Sequence, residues 1–357
     1  MLFDNFIISF LISFLVCIFL IYLDKIATKQ GDINLRQSPQ TLHSKSISRF
    51  GGVAVTVSLV TVLFIQGYTI DNSLFFLAIV CCLPAFLAGY LDDLKIEITP
   101  KQRLFMLVPV PLLFFYFTNL EVRSLNLGIL DDFLQIEMLA ILFLVVAIVG
   151  MINAFNIIDG VNGLLGSYVF SILFVLQVRD QIFAQELFYL ADYPAILQTL
   201  TGALLGFFVI NIFGKIFMGD AGSYFLGALV CWVLIHQYQT IGASAWSVML
   251  LLSYPFTDLV FSVIRRKFIT NHDPMQPDAM HLHHVILKRL GKLKFKKERM
   301  KHFLVGLAIF IFNLPYQIIA VYYYKNSMLL MLVFIFYILS YLLFYFSLSP
   351  RFLVRKK

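Results

Sequence analysis

Charge is what this sequence has least of. Only 13% of its 357 residues are Asp, Glu, Lys or Arg, against roughly a quarter in water-soluble domains. Apolar residues make up 60% and come in long runs. A single water-soluble core has no use for such runs, so the chain reads as a polytopic membrane protein. Cysteine is scarce as well. Cys17, Cys81, Cys82 and Cys231 all fall inside apolar runs, which excludes a disulfide framework and offers no metal-ligand spacing. The start of the chain lacks the basic region and small-residue cleavage site of a signal peptide, Asp4 being its only early charge. No internal repeat and no low-complexity segment is visible. The net charge of +7 is spread unevenly, and no nucleic-acid partner is read from it.

Taking roughly 17–25 residues per span, about eleven spans lie near residues 6–23, 51–67, 74–91, 104–117, 137–151, 164–178, 195–213, 223–238, 244–264, 303–324 and 327–348. The expected fold is therefore all-α: one transmembrane domain over 1–357, with a large loop over 265–302. Basic residues set the orientation, because they concentrate in cytoplasmic connections. With the N-terminus outside, every one of the 27 basic residues except Arg123, Arg179 and Lys325 falls on an inside connection. The C-terminus is then cytoplasmic. Five unusual polar segments share that side: Arg36 to Gly52, Asp92 to Arg103, Asn153 to Gly163, Gly214 to Ser223, and Arg265 to Lys301. Acids, glycines and histidines gathered on one face suggest an active site there, whereas a transport path places its charges near the bilayer midplane.

The segment from Asn153 to Gly166 sits between two apolar runs and carries Asn153, Asn156, Asp159 and Asn162 at a spacing of three. A helical start turns those four polar groups slowly along one side, and Gly160, Gly163 and Gly166 permit close approach. The plainer reading is a turn with an Asn/Asp cap. Asp92-Asp93 closes the third span. Two adjacent carboxylates repel one another, and a helix C-terminus disfavours both, so a cation or basic partner is expected nearby. Lys101 and Arg103 follow at the next span, as a phosphate contact or simply as inside charges. Asp220 lies between Gly219 and Gly222 ahead of the eighth span, where a carboxylate caps a helix or holds a hard cation. His281, His283 and His284 crowd into four residues. They suit a transition metal or a nucleotide, and the acid-rich surroundings favour the nucleotide. The basic arm from Lys288 to Lys301 suits an anionic leaflet. Acids, histidines and basic residues beside a bilayer are what phosphoryl transfer between a nucleotide and a lipid needs.

With these motifs in order, most of the chain resembles the polyprenyl-phosphate N-acetylhexosamine-1-phosphate transferases, which include the MurNAc-pentapeptide translocase. The matching stretches are Leu42-His-Ser-Lys45 through Arg49-Phe-Gly51-Gly52, Asp92-Asp93 with Pro100, Asn153 through Gly163, Gly219-Asp220-Ala-Gly-Ser223, and His281-Leu-His283-His284. The leucine within the histidine motif is closer to the UDP-GlcNAc branch. The resemblance implies attack by a polyprenyl (undecaprenyl) phosphate on a UDP-N-acetylhexosamine, with release of UMP. It implies Mg²⁺, or Mn²⁺ in its place, on Asp220, and catalytic roles for Asp92, Asp93 and Asp159. Substrate contacts fall to Lys45, Arg49, Lys101, Asn153, Asn156, Asn162, His281, His283 and His284. It also implies a bacterial cytoplasmic membrane, with a homodimer among the open oligomeric states. One departure is Asn162, where many relatives carry Asp. The competing readings are the same reaction on a 6-deoxy or galacto sugar, a secondary transporter, and a CDP-alcohol phosphotransferase. The last needs aspartates that do not follow Asp159-Gly160.

Overall fold

A computed structural model describes residues 2–29, 47–68, 73–94, 96, 98–183, 193–271, 273, 278–292 and 298–349. Leu42 to Lys45 of the first loop's motif lie outside these residues, as does the C-terminal tail, whereas Arg49 to Gly52 lie within them. Sixteen α-helices follow in order: α1 Leu2–Lys29, α2 Gly51–Ile65, α3 Leu74–Cys81, α4 Leu83–Asp93, α5 Pro100–Leu107, α6 Pro109–Thr118, α7 Ile129–Gln135, α8 Glu137–Ile158, α9 Leu164–Ile182, α10 Tyr193–Asn211, α11 Gly219–Ile241, α12 Ala245–Leu251, α13 Ser253–Ile264, α14 Leu282–Leu290, α15 Glu298–Tyr322 and α16 Ser327–Leu348. Among the described residues the fold is all-helical apart from one isolated bridge, Ser48 to Ile216.

Every segment read as a span is helical, but the count of eleven is not reproduced by length and composition. Among the described residues seven candidate spans are long and apolar enough to cross a membrane, one of them α3 and α4 taken together as Leu74–Asp93, and the bent pair α12–α13 makes an eighth. The shortfall has local causes. Helix α2 has 15 residues. Pro109 splits residues 100–118 into α5 and α6 of 8 and 10 residues, because proline lacks the N–H that would continue the ladder. Helix α9 carries Arg179 and Asp180 in its last turn.

Helix α11 is the hub. Its span is 89% buried, against 17% for α1. Glycines let its N-terminal end sit tightly against its neighbours. A Cβ on Gly52 would fall 2.1 Å from the Gly222 Cα, and one on Gly89 would fall 2.2 Å from the Asp220 carbonyl oxygen. The start of α2 is tied to the same place. The Gly51 and Gly52 N–H groups donate to the Phe217 and Met218 carbonyls at 2.9 and 2.8 Å.

The bend between α12 and α13 is 79°. Pro255 has no N–H for the Leu251 carbonyl four residues back, and the Tyr168 hydroxyl donates to that carbonyl instead, at 2.8 Å. The bend thus leaves no orphaned acceptor at this position and aims α13 toward the histidine loop. Helix α13 runs on through a π-helical turn, Arg265–Thr270.

Candidate active site

The ends of α4 and α8 converge on the start of α11. Helix α11 lacks a side-chain cap from its own N-terminal flank, so its first N–H groups need acceptors from elsewhere. Asp93 supplies them. Its carboxylate accepts from Asp220 N–H at 3.0 Å and from Ala221 N–H at 2.9 Å. A carboxylate at this position also meets the positive end of the helix dipole. Both oxygens of Asp93 are thereby engaged in holding α11.

Asp92 turns the other way, into a 2.7 Å ion pair with Arg103, while its carboxyl also faces Asp220. The Asp220 Oδ1 accepts from Asn156 Nδ2 at 2.7 Å, and the same amide nitrogen lies 2.9 Å from Ser223 Oγ. Asp159 follows the last residue of α8 and receives the Gly219 N–H, with Arg49, Asp93 and Asp220 around it. Burial pushes its carboxyl well above the usual carboxylate range. The charges of Asp220 and Asp93 push it the same way, and Arg49 opposes them. Gly219 adopts φ +79°, and a Cβ there would meet the Arg49 carbonyl oxygen and Asp93 Oδ2. Glycine is therefore required both by conformation and by space.

Four carboxylates thus share a small volume with two arginines. That excess of negative charge, in an all-oxygen set without thiolate, suits a hard divalent cation. Among the described residues, no three acidic, His or Cys side chains are arranged as a group that could hold a metal ion. The fit to such an ion rests on charge and donor type.

The histidine loop closes over the same region. A Cβ on Gly160 would lie 3.1 Å from His284 Cε1, 3.3 Å from its Nε2 and 3.4 Å from His283 Nε2. The residue after Asp159 therefore touches two of the three imidazoles. His281 Nδ1 lies 2.6 Å from Asp258 Oδ2, and His283 Nδ1 lies 2.9 Å from the Tyr254 hydroxyl. Burial drives the His284 pKa down to about 4, with the neighbouring His281 adding to it. Burial and His284 hold His283 well below its ordinary value. At neutral pH these two rings act as neutral hydrogen-bonding groups.

The residues singled out in the sequence do not all meet. Asp92, Asp93, Asp159, Asp220, Asn156 and Arg49 surround the start of α11, His283 and His284 stand beside Asp159-Gly160, and His281 packs behind them against Asp258. Asn153 instead donates to the Val149 carbonyl of its own helix at 2.7 Å. Asn162 is buried, faces Gly214, and lines an apolar cavity with Phe208, Phe303 and Leu307. Lys101 is exposed at the start of α5, and it is Arg103 that reaches the acids.

The sequence reading missed Asp258, which is 1% exposed inside an apolar helix. An acid within a span is functional by default, so the signal was present. It also missed a face of α16 where Tyr337, Tyr341 and Tyr345 recur every four residues. Their hydroxyls donate to Asn313 Oδ1, Asp258 Oδ1 and the Met280 carbonyl at 3.0, 2.7 and 3.0 Å.

The described residues thus form an all-helical chain of candidate membrane spans, with an acidic centre and a histidine loop brought together beside the start of α11. Residues 75–237, just under half of the chain, match the family described as glycosyl transferase family 4. The matched region holds Asp92, Asp93, Asp159 and Asp220 and stops before the histidine loop. The undecaprenyl-phosphate α-N-acetylglucosaminyl 1-phosphate transferase of Thermotoga maritima is 27% identical over 282 residues, covering 78% of this chain and 81% of that protein. The protein of the same name from Escherichia coli (strain K12) is 27% identical over 276 residues, covering 76% and 73%.

Proposed function

We propose that the chain transfers N-acetylhexosamine 1-phosphate, with GlcNAc as the first sugar to test, from a UDP-sugar to a polyprenyl phosphate. The observation that carries this reading is the contact between Gly160 and the imidazoles of His283 and His284. It joins a carboxylate centre suited to a diphosphate and its cation to a loop of neutral hydrogen-bonding rings suited to a nucleotide. The names of the relatives from Thermotoga maritima and Escherichia coli support the donor and the acceptor.

In this reaction an oxygen of the lipid phosphate bonds to the β-phosphorus of the UDP-sugar. The bond from that phosphorus to the bridging oxygen breaks, and UMP departs with the bond's electron pair. A phosphomonoester has a second pKa of about 6 and is already nucleophilic at neutral pH. The chain's own groups then act by position and field. Asp220, through the oxygen left over by Asn156, is the side chain that would hold Mg²⁺, with Asp159 and Asp92 beside it. Bound there, the ion neutralises charge developing on the diphosphate. Arg103 and Arg49 flank the acids and suit the phosphates. Asp93 holds α11, and with it Asp220, in place. The positive-inside distribution of basic residues supports a cytoplasmic position for this end of the bundle, and the bacterial origin of the relatives supports a bacterial membrane.

Purified protein in detergent, given undecaprenyl phosphate, Mg²⁺ and UDP-GlcNAc, is expected to release UMP, and to release none without the lipid or with EDTA. UDP-GalNAc and a 6-deoxy donor in parallel name the sugar. Folded protein that releases no UMP with any of these donors overturns the reading.

A further inference from the structure

Helix α13 carries a stripe at intervals of four residues, Tyr254, Asp258 and Ser262, and each member holds one residue of the histidine loop. Tyr254 meets His283 Nδ1 at 2.9 Å. Asp258 meets His281 Nδ1 at 2.6 Å. The Ser262 hydroxyl donates to Asp278 Oδ2 at 2.8 Å. Residues four apart lie on one face of a helix, so a single rigid face sets the loop. Asp258 is its centre. Its second oxygen accepts from Leu282 N–H at 3.0 Å and from the Tyr341 hydroxyl at 2.7 Å.

A carboxylate only accepts. The contact therefore puts the His281 proton on Nδ1 and fixes the plane of that ring. The rings of His281 and His283 lie 6° from parallel with centroids 5.5 Å apart. The outward edge of the second ring, His283 Nε2, is buried without a hydrogen-bond partner. It lies 3.4 Å from where a Cβ of Gly160 would sit. A buried polar atom left unpaired costs free energy, and this one is aimed at the wall shared with Asp159.

We propose that Asp258 is a positioning residue for the donor nucleotide. By fixing the tautomer and plane of His281, whose ring lies parallel to that of His283 and whose Nε2 faces Asp278 at 3.8 Å, and with Tyr254 those of His283, it presents the His283 edge to a phosphate or uracil group of the UDP-sugar lying over Asp159-Gly160. This deepens the transferase reading and rests on it. Neither the matched family region, which ends at residue 237, nor the names of the relatives assign it.

The test is D258N in the full-length protein. The amide keeps the acceptor used by Leu282 and Tyr341 but turns an N–H toward His281, which moves the imidazole proton to Nε2. At least a tenfold rise in KM for UDP-GlcNAc is expected, with KM for undecaprenyl phosphate changed less than twofold. ¹⁵N spectra of histidine-labelled protein should show the His281 proton leaving Nδ1. Y337F, which loses a hydroxyl on the same buried face of α16 without touching the loop, is the packing control. Wild-type donor KM in D258N, or the same donor-selective defect in Y337F, overturns the proposal. If D258N does not accumulate, Y254F carries the same test on His283 without leaving a charge unpaired, and unchanged donor KM there overturns the proposal as well. Wild-type protein inert toward every UDP-sugar would sink the transferase reading instead, while the ¹⁵N tautomer would still report whether Asp258 sets His281.

Discussion

Asp93 and Asp220 are joined through the backbone: the Asp220 N–H donates to Asp93 Oδ1 at 3.0 Å, so one carboxylate positions the residue that bears the other. The two acids should therefore fail differently. Asp93→Asn replaces one acceptor with a donor facing an N–H group. It should cost about 1–3 kcal/mol of stability and lower turnover at the same time. Thermal unfolding in detergent beside UMP release checks this; full activity with an unshifted melting point would show that α11 does not depend on the cap.

Asp220→Asn keeps the acceptor used by Asn156 and removes the charge. Insertion and melting temperature should hold, while turnover falls by at least about a hundredfold, the scale of losing one preorganised electrostatic contact. Near-normal UMP release in this variant would remove Asp220 as the metal-holding residue.

Arg103 and Lys101 sit two residues apart on α5 but differ in reach. Only Arg103 pairs with an acid of the centre, Asp92 at 2.7 Å, and Lys101 is exposed. Arg103→Ala should reduce kcat/KM by tenfold or more, and Lys101→Ala by less than threefold. Equal losses would contradict this assignment.

Gly52→Ala places a methyl 2.1 Å from the Gly222 Cα, a backbone atom that cannot swing aside. Overpacking of this kind costs about 1–3 kcal/mol. Helices α2 and α11 must part, so the variant should melt lower and lose activity together. An unchanged melting point would mean that the two helices sit farther apart than described.

The loop histidines predict an acid limb. His284 is held at about 4 in the folded protein, against roughly 6.5 in a free chain. Between those values the unfolded chain binds more protons than the folded one, so stability rises with pH. Its contribution should be intact above pH 6.5 and lost progressively as pH falls toward 4. Melting temperature measured against pH in EDTA checks this, and His284→Gln should flatten that part of the curve. The same slope in wild type and variant would assign the acid limb to other groups.

Much of the site was legible because polar residues stand out in an apolar chain. Asp92, Asp93, Asp159, Asp220 and the histidines were all found that way, and the structure brings them to one end of the bundle. What stayed hidden depends on orientation. The spacing of three put Asn153 with Asn156, yet Asn153 bonds its own helix and Asn162 faces a cavity of phenylalanines. That Asp93 faces two N–H groups and Asp92 an arginine cannot be read from adjacent letters. Asp258 went unseen inside a segment classified whole as a span, and the tyrosines of α16 resemble ordinary interfacial aromatics. All eleven segments read as spans fall on helices, while length and composition alone qualify seven or eight, in part because Pro109 divides the helix over residues 104–117.

The tyrosine face of α16 makes the order of synthesis matter. Tyr341 and Tyr345 belong to the last helix, yet they hold Asp258 and the Met280 carbonyl beneath the histidine loop. A growing chain can assemble the acidic centre from α4, α8 and α11 well before the ribosome reaches residue 341, but it cannot yet seat the loop. The histidine loop therefore takes its seat only after α16, the last of the described helices, has been made.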